Sequence, residues 1–354
     1  MSATRQSVNR KFRSANIHEI ARLSQVSTAS VSRALNGEPG VSEETAKRIQ
    51  EIAGKLGYYP SSSARALVTG RSRTFGLLVS DIVNPFFAEL LREFEEEAVR
   101  QQYEVIVANI NNDPRRIQQS ARRLLERKVD GVAFMTAEQS PLSRELRKRQ
   151  IPVVLLDSGT SSAYVSILKI RALPGMQEAL KHLEALGHKQ IGYIGAPASL
   201  APGKLRLQAF LQAVEGSSLV APSAFISTEN EPTIRGGQHG MLKMLQIRER
   251  PTAVIVFNDA MALGALQAAR VQNIKVPSEL SIIGFDNIEL GAFVDPGLTT
   301  IKCSRSELAH FAFNTLLAMS YGAVGESISL QTSLLIRSST DLVYHSEKSA
   351  NSPI

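Results

Sequence analysis

Three short stretches near the N-terminus carry apolar residues at helical spacing. Asn16, Ser27 and Ser42 each precede one of these stretches, and all three are residue types that cap helix N-termini. The pattern predicts helices that run from these caps to about residues 24, 35 and 56. The first two are joined by only Gln25-Val26-Ser27, and so short a connection is typical of a helix-turn-helix unit.

From residue 74 onward, short apolar runs alternate with helical stretches. The runs predicted as strands are 75–79, 105–108, 131–135, 153–156, then, after a polar stretch at 158–163, 191–194, 224–226, 254–257 and 280–283. The helices predicted among them are 86–100, 114–127, 142–149, 175–186, 203–215, 237–247 and 260–271. Strands that are apolar throughout are typical of parallel sheets covered on both faces. Two such sets of about a hundred residues each predict two doubly wound α/β lobes, with a crevice at the carboxyl ends of their strands.

A polar segment lies between the helical head and the lobes. Pro60 and Gly70 bracket a stretch of about two helical turns, whereas an isolated helix needs about 12 residues or more to be stable in water. We therefore expect this segment to be helical only when another part of the complex holds it.

Length and composition point to an ordinary globular protein. The chain has 354 residues, of which 43% are hydrophobic and 21% charged, which excludes the disordered, collagen-like and disulfide-rich classes. At about 150 residues per domain, this length predicts two or three domains. The one cysteine, Cys303, forms no intrachain disulfide and no thiolate metal site alone, which fits a reducing compartment.

The excess positive charge lies in the N-terminal fifth of the chain. Residues 1–73 hold twelve Lys and Arg against five Asp and Glu, which equals the whole formal charge of +7, and the other residues hold 28 of each sign. We expect such a segment to meet a polyanion; a basic solubilising tail is the alternative, and only residues 1–15 resemble one. No run approaches the roughly 20 apolar residues of a membrane span, and no apolar core follows the basic N-terminus. The sequence therefore predicts a cytoplasmic protein with no membrane partner.

Motifs for catalysis, cofactors and metals do not occur in the sequence. It has no phosphate-binding P-loop and no nucleophile elbow, and its six histidines lack the spacing of metal ligands. The glycine-rich run 187–195 passes through a predicted strand instead of following one, so it is not a dinucleotide fingerprint. We interpret His188 as a structural residue of a helix-to-strand turn and not as a proton shuttle. The expectation is no enzyme activity, no cofactor and no bound metal; a nucleotide-sugar enzyme on the same sheets is one alternative, which turnover assays would detect.

The second predicted helix carries the clearest binding chemistry. Val31 and Leu35 face inward at i, i+4 spacing, which leaves Thr28, Ala29 and either Ser32 or Arg33 exposed. A recognition helix enters the major groove by its N-terminal end, and a guanidinium pairs with guanine O6 and N7. This helix is predicted to read DNA, the alternative being the plain surface of a small helical bundle.

The motifs along the chain occur in a familiar order. They comprise IHEIARLSQVSTASVSRALNG at 17–37, VS at 41–42, LGYYP at 56–60, GLLV at 76–79, NPFF at 84–87, LGH at 186–188, RL at 206–207 with Phe210, ND at 258–259, MALG at 261–264, GFDN at 284–287 and LTTI at 298–301. To about Ser339 the chain resembles the lactose-repressor and galactose-repressor family of bacterial transcription regulators. The resemblance implies a dimer with paired DNA-binding heads and a two-lobed sensor similar to periplasmic sugar-binding proteins. Because residues 340–354 lack an apolar heptad, we expect a dimer and not a tetramer.

The resemblance also implies where the protein touches DNA. The corresponding positions are Thr28, Ala29, Ser32, Arg33 and Asn36 in the second helix, and Ala64, Arg65 and Leu67 in the hinge. Leu67 takes the place of the leucine that family members wedge into the minor groove, where an apolar side chain unstacks one base step and kinks the duplex. A role in the protein core is the alternative for Leu67.

The effector site is predicted by the same route. Its candidate residues are Phe86, Phe87, Arg171, Arg206, Asn258, Asp259 and Asp286. One of the two phenylalanine rings is expected to face the crevice, and at least one to pack in the core. Asn258, Asp259 and Asp286 follow predicted strands and are expected at the cleft, although Asp259 is equally suited to cap a helix. Arg206 reaches the ligand in the family, whereas by composition alone it is a solvated helix charge.

Arg171 marks a departure from the family pattern. Many members carry Asp-Asn with Gly three residues on, where this chain reads Arg171-Ala172-Leu173-Pro174-Gly175. A cation in place of a carboxylate, two residues after Lys169, leads to the hypothesis of an anionic effector such as a sugar acid or a phosphorylated sugar.

Together these inferences predict a ligand-responsive repressor of carbohydrate or sugar-acid genes. We expect it to bind a palindromic operator as a homodimer, and its effector to be a sugar, a sugar acid, a sugar phosphate or a nucleobase. The alternative is a solute-binding protein without DNA function, against which the basic head and the missing export signal argue. The predicted domains are a basic tail 1–15, the helix-turn-helix domain 16–60, the hinge 61–73, the effector-binding domain 74–345 and a tail 346–354. Within the effector-binding domain, the N-lobe is 74–172 with 303–332 and the C-lobe is 173–302 with 333–345.

Overall fold

The computed structural model describes residues 16–37, 39–58, 70–111, 113–136 and 141–343. The chain forms two compact units that divide between Ser72 and Arg73. The predicted tails and most of the predicted hinge lie outside the described residues.

The described part of the first unit contains three helices, α1 (Ile17–Ser24), α2 (Thr28–Asn36) and α3 (Glu43–Lys55). The predicted caps are confirmed: the side chains of Asn16, Ser27 and Ser42 accept hydrogen bonds from the backbone N–H groups of residues 19, 30 and 45. Three residues separate α1 from α2, as predicted. A small core centred on the fully buried Ile20, Val31 and Ile49 joins the three helices.

The second unit contains twelve strands within its described residues. They are β1 (Thr74–Val79), β2 (Glu104–Asn109), β3 (Gly131–Met135), β4 (Val153–Leu156), β5 (Val165–Arg171), β6 (Ile191–Ile194), β7 (Ile226–Ser227), β8 (Ala253–Val256), β9 (Ser281–Asp286), β10 (Thr299–Lys302), β11 (Ser327–Gln331) and β12 (Ser333–Leu335). The first sheet has the order β11-β5-β4-β3-β1-β2 and all its pairs are parallel. The second has the order β12-β10-β9-β8-β6-β7 and is parallel except for β10 with β12.

Helices cover these sheets. They are α4 (Pro85–Arg100), α5 (Pro114–Glu126), α6 (Pro141–Lys148), α7 (Ala172–Ala185), α8 (Ala201–Glu215), α9 (Ile234–Leu245), α10 (Asp259–Val271) and α11 (Arg305–Ser320). Each sheet is packed on both faces, since its strands contribute to two separate apolar clusters. The unit therefore has two doubly wound α/β lobes, as predicted.

The chain passes between the lobes three times. β5 of the first sheet leads into α7 of the second lobe, β10 of the second sheet leads into α11 of the first lobe, and β11 leads into β12. The Thr332 hydroxyl donates to the Arg171 carbonyl oxygen at 2.7 Å and accepts from the Gly175 N–H at 3.1 Å. Hydrogen bonds thus join the first and third crossings directly.

Several elements differ from the prediction. Residues 223–225 form a 3-10 turn ahead of the short β7, instead of starting the strand predicted at 224–226. The pattern also gave no strand at 165–171, where the last residues alternate between exposed and half-buried positions.

Candidate functional site

One face of α2 carries all five predicted DNA-contact residues of the helix. Thr28, Ala29, Ser32, Arg33 and Asn36 follow the spacing i, i+1, i+4, i+5, i+8, which places them along one side of an α-helix. Ala29 and Arg33 are exposed and the other three are half-buried. The Asn36 side-chain amide donates to the Ser32 hydroxyl at 3.4 Å, which holds these two side chains together. The helix thus presents a polar, cationic face opposite the one that it buries.

The other cations of the head are also on its surface. Arg22, Lys47, Arg48 and Lys55 are all exposed. None of them forms an ion pair among the residues that the structure describes. Surface cations without acidic partners suit contact with phosphate groups. The predicted hinge contacts Ala64, Arg65 and Leu67 lie outside the described residues.

A cavity of about 430 Å³ lies between the two lobes. Its walls contain side chains that follow the carboxyl ends of strands and others near the starts of helices. From the first lobe these are Ser80, Asp81, Asn84, Phe86, Phe87, Asn111, Met135, Thr136, Leu156, Asp157 and Ile170; from the second they are Leu200, Pro202, Arg206, Glu231, Pro232, Thr233, Phe257, Asn258 and Asp286. The cavity therefore occupies the crevice that the parallel-sheet pattern predicted.

Arg206 is held in one position in this cavity. Its guanidinium donates to the Phe257 carbonyl oxygen at 2.6 Å and to Asp286 Oδ1 at 2.8 Å. It also lies over the Phe285 ring, 3.8 Å from the centroid. Arg206 is therefore a buried, paired cation and not the solvated helix charge that composition alone suggests.

Asp286 also links the two lobes. Burial raises the pKa of its carboxyl, and the Arg206 guanidinium acts in the opposite direction. The Asp286 carbonyl oxygen accepts from Arg305 Nη1 at 2.7 Å, and Arg305 Nε pairs with Glu89 Oε2 at 2.8 Å. Glu89 Oε1 in turn accepts from the Glu289 N–H at 3.0 Å. Hydrogen bonds and an ion pair therefore connect Asp286 to α4 and α11 of the first lobe.

Phe86, Phe87 and Asn258 border the cavity in different ways. The two rings meet edge to face with centroids 5.2 Å apart, and Phe86 is buried in the core of the first lobe whereas Phe87 is half-buried. Asn258 caps α10, because its side-chain oxygen accepts from the Met261 N–H at 2.8 Å. Its side chain thus fixes the start of α10 beside the cavity.

Asp259 does not line the cavity. It is the first residue of α10, is fully buried, and Asn258 takes the capping role suggested for it. Its carboxyl accepts from the Thr300 hydroxyl at 2.7 Å and from the Ile288 N–H at 2.8 Å. Burial raises the pKa of Asp259 to about 8. The expected contact with the effector is therefore replaced by a structural role, because the helix turns this side chain into the sheet.

Arg171 also lies outside the cavity lining, contrary to the expectation. Successive residues of a strand face opposite sides, and on β5 it is Ile170 that borders the cavity. Arg171 is exposed and lines a separate recess. The cation that prompted the hypothesis of an anionic effector is thus not in this site.

Sequence reasoning missed Asp157, which lines the cavity directly after β4. Its Oδ1 accepts from the Ile170 N–H at 2.7 Å, and burial raises the pKa of the carboxyl to about 6. Asp81 and Thr136 were missed in the same way, one shortly after β1 and the other directly after β3. The signal was available, because polar residues that follow buried parallel strands gather at one edge of the sheet.

His188 has no contact that suggests proton transfer. Its ring nitrogens hydrogen-bond the hydroxyls of Thr252 at 2.8 Å and Ser281 at 3.1 Å, beside β8 and in β9. Burial lowers the pKa of His188 to about 4. The interpretation as a structural residue agrees with these contacts.

The described ranges contain neither a membrane-spanning helix nor a cluster of metal ligands. No helix there has the length and apolar character to cross a membrane. No group of three or more His, Cys, Asp or Glu side chains there is arranged to hold a metal ion.

Two family models match the chain. Residues 16–61 match "Bacterial regulatory proteins, lacI family", and residues 180–340 match "Periplasmic binding protein-like domain". The first covers the helix-turn-helix unit and the second covers most of the second lobe together with α11 and β11.

Full-length relatives carry the same combination. The "HTH-type transcriptional repressor PurR" of Mannheimia succiniciproducens is 33% identical over 92% of this chain and 98% of its own length. The "Ribose operon repressor" of Escherichia coli K12 is 32% identical over 86% of this chain and 92% of its own length. The structure of a lac repressor dimer bound to operator and anti-inducer has a TM-score of 0.79 at 24% identity, over 92% of this chain and 99% of that one. The protein belongs to the LacI family of DNA-binding transcriptional repressors, and it is not an enzyme.

Proposed function

We propose that this repressor binds a palindromic operator as a homodimer and that a small molecule in the interlobe cavity controls the binding. The observation that carries the proposal is the exposed face of α2, which presents Ala29 and Arg33 where a recognition helix reads base edges. A dimer places two such helices about one helical turn of DNA apart. Since operator DNA lies in the bacterial cytoplasm, the protein acts there.

Selection of bound sequences from random duplex DNA tests this proposal. We expect enrichment of a sequence with two related half-sites and binding that weakens steeply as salt rises, because phosphate contacts release counterions. Repeating the selection with candidate effectors shows whether an effector releases or promotes binding. Enrichment of an asymmetric single site, or of no sequence at all, would contradict the proposal.

Arg33→Ala is expected to relax the preference at one base pair of each half-site by about 1–3 kcal/mol, the discrimination that a bidentate arginine–guanine contact provides. Competition binding with single-base operator variants measures this loss. Lys55→Ala removes an exposed cation at the end of α3 and serves as the matched control, with its sequence preference unchanged. If Arg33→Ala lowered the affinity for all DNA sequences equally, base reading by this residue would be ruled out.

Exposed apolar side chains support the dimer. Phe293 is 78% and Val271 58% exposed, and near them α10 and residues 294–296 border a surface groove of about 750 Å³. Large exposed apolar side chains around a groove are typical of a surface that a partner covers. The lac repressor structure is named as a dimer, which agrees with this arrangement. Sedimentation velocity of the full-length protein measures the oligomeric state.

The cavity supports a neutral carbohydrate as effector. Its lining holds the carboxyl groups of Asp81, Asp157, Glu231 and Asp286 against the single guanidinium of Arg206, and Asp286 is paired with Arg206. Carboxylates and amides accept hydrogen bonds from sugar hydroxyls, whereas the carboxylates repel an anion. A ribose operon repressor is among the relatives. We therefore propose a neutral sugar of monosaccharide size, in place of the sugar acid that Arg171 suggested.

Thermal unfolding with added ligand tests the charge of the effector. A neutral pentose or hexose that binds is expected to raise the unfolding temperature by about 5 °C at a hundredfold excess over its dissociation constant. The corresponding sugar acid, which differs by one carboxylate, is the matched control and should cause no shift. A shift with the acid alone would contradict the proposal.

A nucleobase is the second candidate. Phe86, Phe87 and Phe257 border the cavity, and an aromatic ring stacks on a flat heterocycle as well as on a sugar face. In the same thermal assay, a shift with adenine and none with the sugars would favour the nucleobase.

The proposed control passes through the hinge. An effector that contacts both lobes shifts the balance between lobe arrangements, and the stretch between Pro60 and Gly70 is predicted to be too short to stay helical unaided. A modest change in the spacing of two such segments in a dimer would then alter operator affinity.

A further inference from the structure

A second recess of about 430 Å³ lies where the chain first crosses between the lobes. It shares Asp157 and Ile170 with the effector cavity and is otherwise lined by different residues. One wall comes from β5 and the loop after β4, and the other from α8 of the second lobe.

Two cations lie on the β5 wall. Lys169 and Arg171 are both exposed, and as residues i and i+2 of a strand they project from the same face, about 6.6 Å apart along it. Within the described ranges, neither side chain forms an ion pair. Two cations at this spacing suit a ligand with two negative groups.

Hydrogen-bonding groups surround these cations. Ser158 is a buried residue at the recess, 8% exposed, and its hydroxyl has no hydrogen-bond partner among the described residues. Across the recess, Gln208 and Gln212 are exposed at i, i+4 positions of α8, so they share one face of the helix. The one acid of the lining, Asp157, already accepts from the Ile170 N–H through its Oδ1.

We propose that this recess binds a small polyanion, a phosphorylated or polycarboxylated metabolite, at a site that adjoins the effector cavity. Lys169 and Arg171 contact its negative groups, Ser158 supplies the buried donor, and the two glutamines contact its polar rim. Because the ligand touches β5 and α8 together, its binding ties the two lobes at their first crossing. The proposal gives a binding role to Arg171, which does not line the effector cavity.

Calorimetric titration of the full-length protein with pyrophosphate tests the site at physiological ionic strength. We expect binding to weaken about tenfold or more in the double variant Lys169→Gln with Arg171→Gln, because charge-assisted hydrogen bonds are lost. Lys243→Gln with Arg248→Gln removes two exposed cations elsewhere in the second lobe and is the matched control, with affinity unchanged. Both pairs are surface side chains, so the variants are expected to keep the wild-type unfolding temperature.

The basic head also attracts anions, and the two double variants separate that binding from binding in the recess. Equal binding by both variants would place the anion on the head and overturn the proposal, as would the absence of binding at millimolar pyrophosphate. Ser158→Ala is expected to lower the affinity severalfold, because it removes the hydroxyl donor. A parallel titration with citrate distinguishes a phosphorylated ligand from a carboxylate ligand. Binding of pyrophosphate or of citrate by the wild type, together with its loss in the Lys169 and Arg171 double variant, supports the site. The assay contains neither DNA nor sugar, so a negative result leaves the proposed repressor function untouched.

Discussion

Replacing Arg206 by methionine is expected to abolish effector binding and to lower the free energy of unfolding of the two-lobed unit by about 3–5 kcal/mol. The guanidinium makes two hydrogen bonds in the cavity wall, to Phe257 and Asp286, and covers the Phe285 ring. Methionine keeps much of the apolar contact with the ring but leaves the Asp286 carboxyl buried without its cation. Removing one partner of a buried ion pair is costly for that reason. Urea unfolding followed by circular dichroism measures the loss.

The loss of stability in Arg206→Met should depend on pH. Burial raises the pKa of Asp286 in the folded protein, and the Arg206 guanidinium opposes this rise. Removing Arg206 is therefore expected to raise the pKa of Asp286 further. A carboxyl with a raised folded-state pKa contributes most at low pH, and its contribution is lost as the pH rises through the folded pKa. The variant is therefore expected to be closer to wild-type stability at pH 5 than at pH 8.

A double variant separates folding from ligand binding. Asp286→Asn in the Arg206→Met background removes the buried charge, and asparagine tolerates the φ of 108° at this position better than most residues. We expect the double variant to regain most of the lost stability but no effector binding. If Arg206→Met retained normal effector affinity, Arg206 would have no place in the effector site.

Local rules predicted the helix starts because each cap depends on a hydrogen bond within three residues of chain. Asn16, Ser27 and Ser42 all cap as expected. The pattern gave no helix at Arg305–Ser320, whose apolar residues are not confined to one face. That helix buries Leu308, Ala309, Ala312, Phe313 and Leu316 at the centre of the first lobe.

Site residues were predicted correctly where their position at the end of a parallel strand brings them to the cavity. The prediction was wrong where the direction of the side chain decides whether a residue reaches the cavity. Asn258 and Asp286 reach the cavity because they follow strands, and the same rule applied to β4 would have found Asp157. Asp259 and Arg171 have suitable chemistry, but one turns into the sheet and the other lies on the opposite face of β5 from the cavity. The resemblance gave the positions, and only the structure gives the directions of their side chains.

Gly264→Ala is expected to lower the free energy of unfolding by about 3 kcal/mol, because α9 and α10 cross with their backbones in contact. A Cβ at Gly264 would overlap the carbonyl oxygen of Ile234 and lie 2.7 Å from the Gln238 nitrogen. From the other helix, a Cβ at Gly237 would overlap the carbonyl oxygen of Met261. These obstacles are backbone atoms, so the helices must separate to admit a methyl group.

Separation of α9 and α10 would also change the shape of the effector cavity. Thr233 caps α9, and both Thr233 and Glu231 line the cavity. Gly264→Ala should therefore weaken effector binding as well as lower the free energy of unfolding. Gly216→Ala is the matched control in the same lobe, because the added Cβ comes no closer than 3.7 Å to the nearest atom, Ala213 O. That variant is expected to stay within about 0.5 kcal/mol of wild type. Urea unfolding of the two alanine variants side by side measures the difference, and equal stability would mean that α9 and α10 do not pack in backbone contact.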